Sequence, residues 1–320
     1  MRGGCPGWIG VADIGSDIGE VLADAVRRVM APGRRGPVGL GFDTHLPSGC
    51  VRGDPVKLQR GLHRMLDGAW DLLTDGLVLC EAQGARGPRR LHLTVLIVGT
   101  GLPARPAEAD AMLERLALKP LDASAGKRPV RAYGRCPYTG ADVSFSSLAG
   151  EGFVLRFRHA LPFDGDGEEQ TPPDAGGAHA WVIDAEAAPA HMLARRLQRL
   201  GWTTSTFRSA AQALARLQQL WQVRPALVIG VESEAVDAGG LHRLGELMPE
   251  ASRRVLGVVA GSPAPRRFDR PGVDIQAVPF SACDLARFTA GRAHSAQAPS
   301  GRARPVPQRL AEACTDAGCE

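Results

Sequence analysis

A chain of 320 residues, 44% hydrophobic and 22% charged, is long enough for two domains of ordinary size, each with its own core. Its net charge is +4, carried almost entirely by arginine: Asn is absent altogether, and Lys occurs only at Lys57, Lys119 and Lys127. A mechanism that needs an Asn ligand is therefore excluded, as is any lysine-dependent site beyond residue 127.

The basic residues are scattered and sit mostly beside Glu or Asp, which makes nucleic acid an unlikely partner class. The seven cysteines (Cys5, Cys50, Cys80, Cys136, Cys283, Cys314 and Cys319) are widely spaced with no C-x-x-C pair, so neither a zinc site nor a disulfide framework is suggested. No apolar run approaches the roughly 20 residues of a membrane helix. The start MRGGCPGW has no basic stretch leading into an apolar one, and the expected location is the cytoplasm.

Residues 1–12 read as loose. Asp17 to Met30 then carries Ile18, Val21, Leu22, Ala25 and Val29 at helical spacing, with Pro32-Gly33 as the stop. A short strand is expected over Val38 to Phe42. Asp54-Pro55 opens a second helix, with Asp54 as its cap and Leu58, Leu62, Met65, Leu66, Ala69 and Leu73 as its stripe. Apolar runs over Gly76 to Glu81 and Leu91 to Val98, split by the turn-forming GARGPRR, predict an antiparallel pair. Glu108 to Leu118 is expected to be helical. Val143 to Phe145 and Phe153 to Leu161 predict a hairpin across Ala149-Gly150-Glu151-Gly152. The sum is an α+β sandwich, with helices on one face of a mixed sheet.

Phe163 to Ala178, FDGDGEEQTPPDAGGA, is acidic and rich in Gly and Pro, the composition of a flexible linker. Beyond it strands and helices alternate. Strands are expected at Trp181 to Ile183, Trp202 to Phe207, Ala226 to Ile229, Val255 to Val259 and Ile275 to Val278. Helices are expected over Pro189 to Leu200, from a Ser209 cap to Trp221, over Leu241 to Met248, and over Ser281 to Ala290, where Ser281 and Asp284 have capping-box spacing. This alternation predicts a doubly wound five-stranded parallel sheet. After Gly291 hydrophobicity falls too low to bury anything, and a disordered tail is expected. The resulting division is 1–12, 13–163, a linker 164–178, 179–291 and a tail 292–320.

The two halves in this order resemble the C-terminal part of a hybrid sensor histidine kinase: a Bergerat-type ATP-binding kinase domain followed by a flavodoxin-like response-regulator receiver. GDPVKLQRGLHRMLDGAWDLLTDG (Gly53 to Gly76) resembles the family helix that begins D-P-x-K/R-L. TVLIVGTGLP (Thr94 to Pro103) resembles its V-x-D-T-G-x-G-I-P box, and YTGADVSFSSLAGEGFVLRFRHALPF (Tyr138 to Phe163) its closing hairpin and final L-P. WVIDAEAAPAHMLARRLQRLGW resembles a receiver's first strand and helix. RPALVIGVESEAVDAGG resembles the strand around the phosphoryl acceptor, and AVPFSACDL the K-P-F segment.

The resemblance also locates where chemistry would stand, and each position is altered. The Mg²⁺-ligating Asn of the second helix falls at Arg64 or Gly68, where a hard cation would find no suitable oxygen. The adenine-binding Asp falls at Gly99, ahead of a retained Thr100-Gly101. The Gly-rich phosphate loop falls between Leu118 and Tyr138, where the chain has KPLDASAGKRPVRAYGRCP. The stretch before residue 13 is too short for a dimerising helical hairpin, and no H-E-L/I-R-x-P box surrounds a histidine.

In the receiver, Asp184 alone of the acidic pair remains, with Glu186 close after it. Gly230 stands at the nucleophile, Val259 at the Thr position and Val278 at the Lys position. The expectation is a non-catalytic two-component signalling protein, a pseudo-kinase joined to a pseudo-receiver, with neither ATP nor Mg²⁺ as cofactor. Its partner would be a histidine kinase, receiver or phosphotransfer protein, docking on Ile275 to Thr289 and Pro189 to Leu200. The alternatives are a divergent hybrid kinase that retains phosphotransfer, and a truncated remnant without a role of its own.

Overall fold

The computed structural model describes residues 17–30, 38–47, 53–100, 112–120, 131–148, 151–163, 173–219, 224–248, 252–259 and 272–296. Two sheets organise them.

The first half opens with α1 (Ile18–Val29), whose Asp17 cap accepts the Gly19 N–H at 2.7 Å. β1 (Val38–His45) runs three residues beyond the expected Phe42. α2 (Pro55–Asp71) begins as the sequence predicts: the Asp54 carboxylate accepts the N–H groups of Val56 and Lys57 at 3.0 and 3.2 Å, satisfying donors that have no partner within the helix. β2 (Gly76–Arg86), β3 (Arg90–Thr100), a short helical stretch α3 (112–115), β4 (Lys119–Pro120), β5 (Arg131–Arg135), β6 (Asp142–Leu148) and β7 (Gly152–Pro162) follow.

The sheet order is β1-β2-β3-β7-β6-β5-β4, parallel only between β1 and β2. Inward residues of β3 (Leu91, Leu93, Val95, Ile97) and of β7 (Leu155, Phe157) are buried with the stripes of α1 and α2 in one core. Each such side chain contributes about 1.5–3 kcal/mol by leaving water. The helix expected over Glu108 to Leu118 is described only from residue 112 and ends in a turn by 117; its start lies outside the described residues, as do Ala149 and Gly150 of the expected hairpin turn.

In the second half come β8 (His179–Ile183), α4 (Ala187–Gln198), β9 (Thr203–Phe207), α5 (Ala210–Gln219), β10 (Leu227–Val231), α6 (Ala238–Glu246), β11 (Arg253–Val259), β12 (Asp274–Val278) and α7 (Ala282–Ala296). All strands are parallel, in the order β12-β11-β10-β8-β9. Consecutive residues feed opposite faces: Val182, Ile229 and Val255 pack with α4 and α7, while Ile183, Val228 and Leu256 pack with α5 and α6. This is the doubly wound sheet that the alternation predicts. Ser209 caps α5 at Gln212 N–H (3.1 Å), and Ser281 and Asp284 exchange reciprocal 3.0 Å bonds.

Several boundaries differ from expectation, and three of them bear on packing. α6 starts at Ala238 rather than Leu241, because Asp237 caps it and Gly240 lets it approach Ala210 of α5 closely. α7 continues to Ala296, past the predicted start of the tail. The last residues of the expected linker are packed: Ala175 and Ala178 are buried, and Ala175 N–H donates to the Leu200 carbonyl at 2.8 Å.

Candidate functional site

In the first half, the positions marked by the resemblance lie on α2 and at the end of β3. Gly99 is covered by an aromatic ring, and a Cβ placed there would come within 2.2 Å of Phe153 Cε1. The partner of Gly99 across to β7 is Phe153 itself, and the preceding Gly152 has a φ of +133° and lies so close that a Cβ on it would come within 2.0 Å of the Gly99 carbonyl oxygen, which suits glycine alone. At Gly68 a Cβ would meet Met112 Cγ at 3.2 Å, so α3 lies over the helix where an oxygen ligand would project.

Arg64 is tied down by three groups. It donates to the Arg115 carbonyl and to Tyr138 Oη (3.2 Å), and its guanidinium stands 5.9 Å from the Tyr138 ring centroid. The small cavity beside it is lined by Gly61, Arg64, Met65, Leu116, Cys136 and Val143. Thr100 is exposed at the strand end, and Gly101 lies outside the described residues. Where a phosphate loop was sought, the described residues form β4 and β5, which pair as an antiparallel addition to the sheet edge.

In the second half, topology brings the marked residues to the carboxyl ends of adjacent strands, the position at which doubly wound folds place their sites. Asp184 follows β8, Gly230 lies in β10 beside Ile183, and Val259 and Val278 are paired at the ends of β11 and β12. The Asp184 carboxylate is 8% exposed and accepts the Glu186 N–H at 2.9 Å. Burial pushes its pKa from 3.8 up to about 6. Glu186 occupies the cap position of α4 without making a side-chain cap bond. At Gly230 a Cβ would lie 2.9 Å from Val236 Cγ1 and 3.0 Å from Leu241 Cδ1, so aliphatic side chains fill the space around this position. Among the described residues no group of three or more His, Cys, Asp or Glu is arranged to hold a metal ion, and no helix is long and apolar enough to cross a membrane.

The residues that sequence reading missed join the two halves. α4 runs along β1, the edge strand of the first sheet, with Met192 reaching over Gly41. Asp43, 1% exposed, is clasped by Arg199, which also contacts His45 Nε2 at 2.8 Å. Arg196 is 4% exposed and lies 5.1 Å from the Phe42 ring centroid, and burial pulls its pKa down to about 10 while Asp43 opposes the shift.

A second contact joins α1 to α7. Arg27 pairs with Asp284 at 2.9 Å and donates to the Pro279 carbonyl at 3.2 Å. Cys283 Sγ reaches Asp17 at 3.3 Å. Glu20 has its pKa raised chiefly by burial, against a lowering hydrogen bond from Ser281. The two faces expected to receive a partner, Pro189 to Leu200 and Ile275 to Thr289, are thus engaged within the chain. The sequence signal was available only as Arg195-Arg196…Arg199 on a helix whose apolar stripe already accounted for its packing.

With this geometry in hand, comparisons place the fold. Full-length ShkA, solved in complex with AMPPNP, superposes with a TM-score of 0.51 at 19% identity, over 91% of this chain and 59% of ShkA. The present chain therefore spans about three-fifths of that protein's length. The mycobacterial sensor histidine kinase MprB matches at 16% identity over 48% of this chain and all of its own, with a TM-score of 0.28. The Vibrio cholerae chemotaxis protein CheY4 matches at 16% identity over 35% of this chain and 94% of its own, with a TM-score of 0.31. No protein-family model and no curated protein matches the chain. The architecture is that of a histidine-kinase ATPase sandwich followed by a CheY-like receiver sheet.

Proposed function

We propose that this chain is a non-catalytic two-component signalling protein, a pseudo-kinase joined to a pseudo-receiver, which acts through protein–protein contact. One observation carries the reading: the places that chemistry would occupy are filled by packed neighbours. Phe153 covers Gly99, Met112 covers Gly68, and Val236 with Leu241 surrounds Gly230. These residues do not fit ATP with Mg²⁺, because both the adenine acceptor and the cation ligand are replaced and their space is taken. An acyl phosphate at Gly230 has no carboxylate to form on.

The partner class that the architecture suggests is another two-component protein: a histidine kinase, a receiver or a phosphotransfer protein. Because α4 and α7 already face β1 and α1, such a partner either competes with the Asp43–Arg199 and Arg27–Asp284 contacts or uses a different face. The test is calorimetric titration of Mg-ATP into the full-length protein, combined with incubation in a small-molecule phosphodonor followed by intact-mass measurement. The expected result is no binding heat at micromolar affinity and no added phosphate on a folded protein. One-to-one nucleotide binding or stable phosphorylation would overturn this reading in favour of a divergent kinase.

A further inference from the structure

α4 covers one border of the first sheet's outer face, the one turned away from α1 and α2. Cβ atoms on Gly39 and Gly41 of β1 would meet Glu186 and Met192, and Leu77 and Leu79 of β2 reach into the same contact. From β3 onward the face is open: Val154 is 37% exposed, Ser144 and Arg158 are exposed, and Leu96, Val98 and Arg156 are half-buried. Register sets Val98 beside Val154 and Leu96 beside Arg156, with Arg158 two residues further along β7. An apolar strip therefore lies next to α4 and is bordered by arginines. Arg131 and Arg135 extend that border on β5, where Asp142 of β6 pairs with Arg135 at 3.6 Å.

Helices pack about 8–10 Å apart and strands lie about 4.8 Å apart. A helix laid beside α4 would thus have its axis over β3, on the apolar strip and with its far flank against the arginines. We infer that this place is taken by the chain's own C-terminal segment, Leu310 to Glu320 (LAEACTDAGCE), which folds as a helix on docking. Helical spacing puts Leu310, Ala313, Cys314 and Ala317 on one face and Glu312, Asp316 and Glu320 on the flank beside it. The first set matches Leu96, Val98 and Val154. The second matches Arg156 and Arg158. The segment is too short to hold a helix on its own, so the sheet stabilises it, and tethering keeps its local concentration at about the millimolar level.

The point of attachment allows this. Trp202, three residues beyond Arg199, donates from Nε1 to Thr289 of α7 at 2.9 Å, and Arg199 contacts His45. His45 shares a cross-strand row with Thr94 and Arg158, so the last turns of α7 lie on the side of the molecule where that row runs. Residues 297–309, between α7 and the segment, reach about 43–47 Å when extended, whereas β1 and β7 are roughly 14 Å apart. A partner that uses the open face must first displace the segment.

Nuclear magnetic resonance of the full-length chain tests this inference. In the wild type, Leu310 to Ala317 are expected to show helical carbon shifts and the slow tumbling of the whole molecule. Arg156→Glu with Arg158→Glu should lower the docked population at least about tenfold, and so should Glu312→Arg with Asp316→Arg. The chain with all four substitutions should dock again, since each reversed charge then meets its complement. A disturbed core could not produce that recovery. Circular dichroism confirms that each variant is folded; should the β7 pair not fold, Val154→Asp on the open strip replaces it. Random-coil shifts with rapid motion in the wild type, or a fourfold variant that stays undocked, would overturn the inference. So would docking that is lost on dilution, which would place the segment on another copy.

Discussion

The two corners at which the resemblance would place chemistry are built in different ways. Around Gly99 and Gly68 the nearest neighbours are largely apolar: a phenylalanine ring and a methionine lie over those positions. Around Gly230 the neighbours are Val236 and Leu241, while Asp184, after the adjacent strand, is 8% exposed with its pKa pushed up to about 6. The first corner is sealed. The second still holds a carboxylate whose charged form the fold disfavours, and the contrast identifies which corner would answer to changes in pH.

The strongest way to break the comparison is to place an acid at each position. Gly99→Asp forces a charged side chain against the Phe153 ring and should destabilise the fold by about 3–5 kcal/mol, combining overpacking with burial of an unpaired charge. Gly230→Asp meets movable aliphatic side chains beside the strand ends, and urea denaturation should show a smaller loss, about 2–3 kcal/mol. Equal losses at the two sites would erase the distinction.

A smaller effect of opposite sign belongs to Asp184. Its folded pKa of about 6 exceeds the ordinary 3.8, so between those values the folded state holds more protons than the unfolded one and stability falls as pH rises. Above about pH 6 the cost is fully developed, at most about 3 kcal/mol from the size of the shift. Asp184→Asn keeps an oxygen for the Glu186 N–H, so it should raise stability at pH 8 by about 1–3 kcal/mol and flatten the slope between pH 4 and 6. Denaturation curves at pH 5 and pH 8 measure both. The smallest effect expected is Asp54→Ala, which removes two capping bonds from α2 and should lower the denaturation midpoint slightly in the same assay.

Much of this molecule was legible in its residues. The caps at Asp54, Ser209 and Ser281, the helical stripes, and the strand–helix alternation of the second half all reappear in the structure. β5 was not legible, because only Ala132 of RAYGR is buried and Gly134 packs against the Ala117 carbonyl instead of presenting an apolar side chain. α6 hid its first turn behind Gly239 and Gly240, which weaken any helical signal. The contact between the halves was invisible for a different reason. It is built from Asp43, Arg196 and Arg199, residue types that a sequence reading assigns to solvent unless their partners across the fold are known.

The position of α4 along β1 has a bearing on how the chain behaves when it is not whole. An edge strand offers a row of unpaired N–H and C=O groups to any other extended chain. At the far end of this sheet the hazard is small, since β4 is two residues long and consists of a lysine and a proline. β9, an edge of the second sheet, is mostly threonine and serine. β1 is eight residues long with two glycines and has no such protection of its own; the helix lying along it belongs to the other half of the chain. The second half is therefore the first half's guard against aggregation. Severed from it, the seven-stranded sheet would present a long bare edge to its neighbours before any question of signalling arose.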